Sequence, residues 1–439
     1  MRKFVITAII MTSAVCANAQ TLNVNTGSVT DAYSAEATGD MTFSGGTSLT
    51  IGAKTYSISD IASINIDADG IATDNTVNIV YSGTTANITV AGNIATYLTT
   101  TVNGAHVSIV ADPSLQQEVT YTLSGTATKG SFYMDGDYKS TVVLNSVSIT
   151  NPDSAAICID NGKRINVEVN GTNTLIDGNG ANAQQKAAFF INGHAEFSGS
   201  GSLAITGNYK HGYRSDEYTI MKKSFTGTIT VTGAASDAMH IGQYFDMRNG
   251  NLDLTATYGD GIDIEVTKTA TDYLNGQAII SGGTIKMSIS GAACKGLKTD
   301  SAITISGGTF DITTTGATSY DTTEADWKSA AGIKCGSQLT ISGGTLTLSS
   351  TGEGGKCINS DGDIVFSGGS LTASTTGEKE NSAPKTVKSD TNIIISGGSL
   401  TATSANSHAC CYGDSNTYPI PLGTPTTFTS TKKKYVVIY

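Results

Sequence analysis

Seven side chains able to carry charge or hydrogen bonds recur at one equivalent place along the chain: Arg214, His240, Asp263, Lys298, Lys334, Asn359 and Lys388. Each follows an apolar residue (Tyr213, Met239, Ile262, Leu297, Ile333, Ile358, Val387) and precedes a small or apolar one. Alternate residues of a strand face opposite sides, so with those neighbours inside, the seven point to solvent. Equivalent residues of stacked parallel strands lie about 4.8 Å apart. The seven then form one outer strip of amines, guanidinium, imidazole and amide, matched to a long polymer carrying hydroxyls and carboxylates. A plainer reading is a solvated ladder of Lys and Asp that keeps a sheet soluble and blocks edge association. Lys298 beside Lys334 costs on the order of 1 kcal/mol when well solvated. The next outward column, with Asp300, Asp361 and Asp390, can offset that cost.

Asp237, Asp260, Asp263 and Glu265 converge across two adjacent repeats. Clustered carboxylates repel unless protons or a cation intervene, and Ca²⁺ with oxygen ligands resolves the repulsion. Asp-Gly, as at Asp260-Gly261, is also ordinary turn chemistry. His211, Arg214 and His240 flank the carboxylates and offer acid/base groups. Two residues before the apolar position stand His211, Asp237, Asp260, Lys295, Lys356 and Lys385. Burying such groups without partners is costly, so the chain is expected to bend at the small residue that follows and turn them outward. Two insertions rise beside the strip, one with Tyr320 and the single tryptophan, Trp327, the other with Tyr273. A flat aromatic face with a polar rim can stack on a sugar ring, or it can pack only its own loop.

The elements that must position these residues announce themselves by repetition. Ile280-Ser-Gly-Gly-Thr recurs at Ile305 and Ile341, then as Phe366-Ser-Gly-Gly-Ser and Ile395-Ser-Gly-Gly-Ser, in steps of 25, 36, 25 and 29 residues. Between copies lie Lys295-Gly-Leu-Lys-Thr-Asp, Ala331-Gly-Ile-Lys, Lys356-Cys-Ile-Asn-Ser-Asp and Lys385-Thr-Val-Lys-Ser-Asp. The apolar residue of each precedes the apolar residue of the next Ser-Gly-Gly by eight positions, and no insertion enters that interval. The register extends back to Ile157, although insertions around Lys222-Lys223 and residues 267–276 break the eight-residue rule after Tyr213 and Ile262; this makes nine repeats, with a tenth at Cys411. Each is too short for a βαβ unit, and its residues alternate in steps of two. The pattern predicts an all-β fold: a right-handed parallel β-helix of about nine to ten rungs with an N-terminal β capping region.

Only 14% of the 439 residues are charged and 50 are glycine, which suits a repeat protein that needs no single large core. Residues 1–19 read as a secretory signal peptide: Arg2-Lys3, an apolar run, then Ala17-Asn-Ala19 before Gln20. That predicts an extracytoplasmic protein, secreted, periplasmic or at the cell surface. Removing the leader takes the net charge from −11 to −13, which disfavours nucleic acid and anionic lipid as partners. Six cysteines remain, too many pairings to assign, and Cys335 reads as a buried free thiol. The boundaries are then 20–130 for the N-terminal β region, 131–414 for the repeats and 415–439 for a tail. Lys432-Lys-Lys-Tyr-Val-Val-Ile-Tyr439 is either a terminal strand or a sorting signal.

The Ile-Ser-Gly-Gly-Thr repeat with its Lys-Gly-Leu-Lys-Thr-Asp partner resembles a family of exported bacterial carbohydrate-binding β-helix proteins. Gly162-Lys-Arg, Gly193-His-Ala-Glu-Phe-Ser-Gly and Tyr258-Gly-Asp-Gly-Ile-Asp are similar to Bacteroidetes members. The likeness covers roughly residues 132–414. It implies a polysaccharide-lyase-like shape, calcium binding, and attachment to plant cell-wall glycans such as polygalacturonate and cellulose; it fixes no individual ligand residue. Three functions follow as expectations. The first is a secreted non-catalytic module gripping a polysaccharide through Arg214, His240, Lys298, Lys334, Asn359, Lys388, Trp327 and Tyr320, with Ca²⁺ at Asp237, Asp260, Asp263 and Glu265. The second is a calcium-dependent polysaccharide lyase in which Lys298 or Arg214 abstracts a proton. The third is an adhesion stalk without a ligand. No GxSxG elbow, HExxH, Walker loop or Rossmann fingerprint occurs.

Overall fold

The structure, a computed structural model, describes residues 20–34, 38–68, 70, 72–181, 183–267 and 273–413, with two further backbone strands at Thr426–Thr429 and Val436–Ile438. The leader expected over residues 1–19 lies outside the described residues, as does most of the tail. The chain forms two compact units. One takes the residues up to Asp74 with Thr89–Thr96, and the other takes Asn75–Ile88 with everything from Tyr97 onward.

The first unit is antiparallel. Thr21–Asn25 lies between Val29–Ser34 and Ser63–Asp67, and Met41–Ser44, Ser48–Ile51 and Lys54–Ser57 make a small meander. Leu22, Val24, Tyr33, Leu49, Ile51 and Tyr56 form its core. Asp31 is buried there, with the Tyr56 hydroxyl donating to it at 2.7 Å and Lys54 paired to it at 2.6 Å.

The second unit carries the repeats, and its architecture corrects the expected fold class. It is all-β, but by hydrogen-bond connectivity its strands close into a fourteen-strand parallel β-barrel with further strands outside, not a right-handed β-helix of nine to ten rungs. The closure has an identifiable cause. Ser140–Thr150 and Leu339–Ser350 are single long strands of 11 and 12 residues, so each pairs with two successive neighbours. Ser140–Thr150 pairs with Arg164–Asn170 through its first half and Thr172–Ile176 through its second. Leu339–Ser350 takes Ile303–Ile305 and Thr309–Thr314 in the same manner. Two parallel ladders are thereby joined at both ends.

A separate thirteen-stranded sheet, from Cys410–Cys411 back to Leu98–Asn103, carries the polar column. Its pairing is parallel apart from the last strand, Leu98–Asn103, which runs antiparallel to Ala105–Ala111. Along it Ile157, Phe189, Tyr213, Met239, Ile262, Leu297, Ile333, Ile358 and Val387 succeed one another in register, all at most 1% exposed. The last position is shifted by one: Cys410, not Cys411, stands opposite Val387. Phe189, Phe197, Tyr213 and Phe225 meet edge to face at centroid distances of 5.6–6.5 Å, adding directional aromatic contacts to the apolar burial. Cys335 is fully buried, as expected. Of the two readings of the tail, Val436–Ile438 adopts the strand, antiparallel to Ile393–Ile395.

The glycines of the repeat are steric requirements. The second glycine of each Ser-Gly-Gly (Gly283, Gly308, Gly344, Gly369, Gly398) has φ between +81° and +90°, a region costly for any residue with a Cβ. Gly316, Gly352 and Gly377 stack successively. A Cβ on each would come 1.7–1.9 Å from the carbonyl oxygen of the preceding glycine in the series that starts at Gly291. Gly352→Ala is therefore expected to lower stability by about 1–3 kcal/mol, the ordinary range for overpacking. Gly233→Ala, where nothing lies within 4 Å of the added carbon, serves as control and stays near wild type. Denaturant unfolding of the two variants measures the difference.

Candidate functional site

The column predicted from spacing is present in the backbone register. Arg214 stands opposite His240, His240 opposite Asp263, Asp263 opposite Lys298, Lys298 opposite Lys334, Lys334 opposite Asn359, and Asn359 opposite Lys388. Parallel pairing without register shift brings residues far apart in sequence into one line. Arg214, Lys298, Lys334, Asn359 and Lys388 are partly exposed. His240 and Asp263 depart from the expectation of solvent-facing side chains: they are 5% and 6% exposed. Polar neighbours on both sides cover them.

Ion pairs explain how the lysines tolerate one another. Lys334 pairs with Asp361, and Lys388 with Asp390, the acidic column two residues on. Lys298 turns the other way, to Asp263 at 2.9 Å and Asp260 at 3.9 Å. Asp300, expected to offset it, instead accepts the Val266 N–H at 3.0 Å. Arg214 is held by Asp216 at 2.7 Å.

The residues two places before the apolar position are not turned outward, which corrects the bend expected there. His211, Asp237, Lys356 and Lys385 are 3–9% exposed, and Asp260 and Lys295 are half-buried. Their backbones continue the parallel hydrogen bonding, as in Gly212 N–H to the Asp237 carbonyl and Ala238 N–H to the Asp260 carbonyl, with no outward bend at the small residue. Partners make this tolerable at the acidic end. Asp237 Oδ1 accepts the Asp260 N–H at 2.8 Å, and Asp260 Oδ1 accepts the Lys295 N–H at 2.6 Å. Burial pushes Asp260 up to about 6, with Asp237 and Asp263 adding to the push and Lys295 opposing it. Burial acts on Asp237 as well, but the adjacent His211 and His240 outweigh it and hold its carboxyl well below the usual range.

At the basic end the balance differs. Lys356 stands in register with Lys385, and its ammonium reaches only the Gly354 carbonyl, at 3.4 Å. Burial, then Lys388, Lys385 and Lys295, push it down to about 7. The equivalence of Lys295, Lys356 and Lys385 was visible in the sequence. Their burial was not, because strict alternation had been set aside as too costly.

Two imidazoles and three carboxylates form the densest group of metal-ligating atoms among the described residues. His211, Asp237 and His240 offer atoms within 4.8 Å of one another, as do Asp237, Asp260 and Asp263, and so do His240, Asp263 and Glu265. The site can hold a metal ion. Of the four carboxylates expected to do so, Glu265 stands apart from the Asp237/Asp260/Asp263 group and faces His240 Nε2 at 3.2 Å.

Tyr320 and Trp327 face each other across a two-stranded hairpin, Ser319–Asp321 with Asp326–Lys328. Their rings meet edge to face at 5.3 Å and remain 48% and 39% exposed, so they pack on each other and still present surface. Tyr273, from the other insertion, is 85% exposed. Sequence reasoning missed a ring stack: His194, Tyr218 and Tyr244 lie face to face at 4.3 and 4.8 Å. The insertion near Lys222 hides their equivalence, and no constant spacing would have found them.

Family comparison adds a chemical class. A family model described as a carbohydrate-binding domain-containing protein matches residues 103–379. A solved structure, the polysaccharide lyase-like protein from C. thermocellum as a gadolinium derivative, aligns at 22% identity with a TM-score of 0.45. That alignment covers 54% of this chain and 91% of the other. No curated protein matches the chain significantly. Among the described residues no helix is long and apolar enough to cross a membrane.

The amine at Lys356 has a measurable consequence. Its folded value of about 7 lies below the ordinary 10.5, so between those values the unfolded chain binds more protons and stability rises with pH. The destabilisation is fully present below about pH 7 and absent above the ordinary value. Lys356→Met is expected to raise the melting temperature at pH 6 by several degrees and to lose that advantage towards pH 10.5. Thermal unfolding of both proteins across pH checks it.

Proposed function

Given that the chain belongs to the family of carbohydrate-binding domain-containing proteins, we propose that it is a secreted, non-catalytic module that grips an acidic, pectin-like polysaccharide along the Lys298–Lys388 part of the polar column. The observation that carries this reading is the unbroken register Lys298, Lys334, Asn359, Lys388, backed by Lys295, Lys356 and Lys385 one column away. Six amines gather on one sheet of a protein whose net charge is −11. Carboxylates spaced along a polymer match that arrangement better than a neutral glycan such as cellulose does. The exposed faces of Tyr320 and Trp327 lie on an insertion directly before the Lys334 strand and supply a surface for a sugar ring. Calcium belongs to the same reading, as an oxygen-bound brace at Asp237, Asp260 and Asp263.

The lyase reading is disfavoured by the same geometry. Burial would release the Lys298 proton, but Asp263 and Asp260 outweigh it and raise the ammonium above its usual value, which makes a poor base. Arg214 is fixed by Asp216, its guanidinium turned to that carboxylate. An adhesion stalk without a ligand would leave the buried amines of Lys356 and Lys385 with no role.

Affinity electrophoresis in polygalacturonate, with and without chelator, tests the proposal. Lys298→Ala/Lys334→Ala/Lys388→Ala is expected to weaken binding about tenfold, since three exposed ionic contacts at about 0.5 kcal/mol each sum to about 1.5 kcal/mol. Unchanged retention of the triple variant would remove the strip as the binding surface. Formation of ultraviolet-absorbing unsaturated product would restore the lyase.

A further inference from the structure

His211, Asp237 and His240 come from two neighbouring repeats, and together they pose a problem that hydrogen bonding does not solve. His211 is 3% exposed, yet neither ring nitrogen has a hydrogen-bond partner. Its Nδ1 comes 3.1 Å from Asp237 Oδ2 without the direction of a hydrogen bond. His240 Nδ1 approaches the same oxygen at 3.2 Å. One carboxylate oxygen is thus faced by two ring nitrogens, whose rings lie 4.5 Å apart at 32°. The other oxygen of Asp237 is already occupied by the Asp260 N–H.

His240 Nδ1 donates to Asp237 Oδ2, and its other ring nitrogen, Nε2, lies 3.2 Å from Glu265 Oε2, so the ring proton can be held on Nε2 when Nδ1 takes a metal. A carboxylate behind an imidazole is the arrangement that orients metal-bound histidines and raises their basicity.

We propose that His211, Asp237 Oδ2 and His240 Nδ1 bind a divalent transition metal of the zinc class, three protein donors with water in the fourth position. Donors at about 2.0–2.1 Å from a tetrahedral zinc ion are about 3.3–3.4 Å from one another. The separations of 3.1 and 3.2 Å to Asp237 already match such an edge. Two nitrogen donors select borderline metals over calcium, which takes oxygens. This site shares Asp237 with the oxygen-only group read as calcium, so the two ions compete. The inference stands independently of any glycan.

The test is calorimetry of the chelator-stripped protein with Zn²⁺ and separately with Ca²⁺, together with the visible spectrum of the Co²⁺ form. Zn²⁺ is expected to bind one per chain and at least about 100-fold tighter than Ca²⁺, with Co²⁺ giving the intense ligand-field bands of a four-coordinate ion. His211→Ala and His240→Ala should each weaken Zn²⁺ at least about 100-fold, whereas Asp260→Asn should not. The Co²⁺ spectrum needs no variant, so misfolding of a histidine variant leaves the question answerable. Zn²⁺ binding no tighter than Ca²⁺, or a six-coordinate Co²⁺ spectrum, would overturn the site and leave His211, Asp237 and His240 as a plain polar triad.

Discussion

Parallel pairing between equivalent residues is the constraint on which the rest depends. Each backbone hydrogen bond that joins one repeat to the next also places like side chain over like side chain at about 4.8 Å. Apolar residues profit, and the line from Ile157 to Val387 becomes a continuous dry core. Charged residues do not, and the chain must find each of them a neighbour of opposite sign or an ordered hydrogen bond. The pairs Lys334–Asp361, Lys388–Asp390 and Lys298–Asp263 are the local answers.

The column of residues two places before the apolar position is polarised along its length. At one end Asp237 and Asp260 are buried against imidazoles and backbone N–H groups. At the other, Lys356 is buried with Lys385 and Lys388 as neighbours. Lys295 sits between them, its N–H on Asp260 and its ammonium near the Ala293 carbonyl.

Much of this was readable in the chain before folding. The order of the column from Arg214 to Lys388 follows from counting, because insertions avoid the paired segments. The closed barrel connectivity was not readable, since it depends on Ser140–Thr150 and Leu339–Ser350 each continuing as one strand long enough to pair with two neighbours. The inward placement of Asp237 and Asp260 differs from expectation for an energetic reason: the cost of burying charge is counted per residue, while the relief comes from backbone N–H groups 23 and 35 positions away. The stack of His194, Tyr218 and Tyr244 escaped because its members sit at unequal spacing around an insertion.

The hairpin bearing Trp327 also gives the protein an intrinsic optical reporter. It holds the single tryptophan of the chain, half open to water and edge-on to one tyrosine. Indole emission therefore reports the surroundings of that one insertion, undiluted by the tyrosine-rich interior, and any molecule that settles on its open ring announces itself by a change of colour.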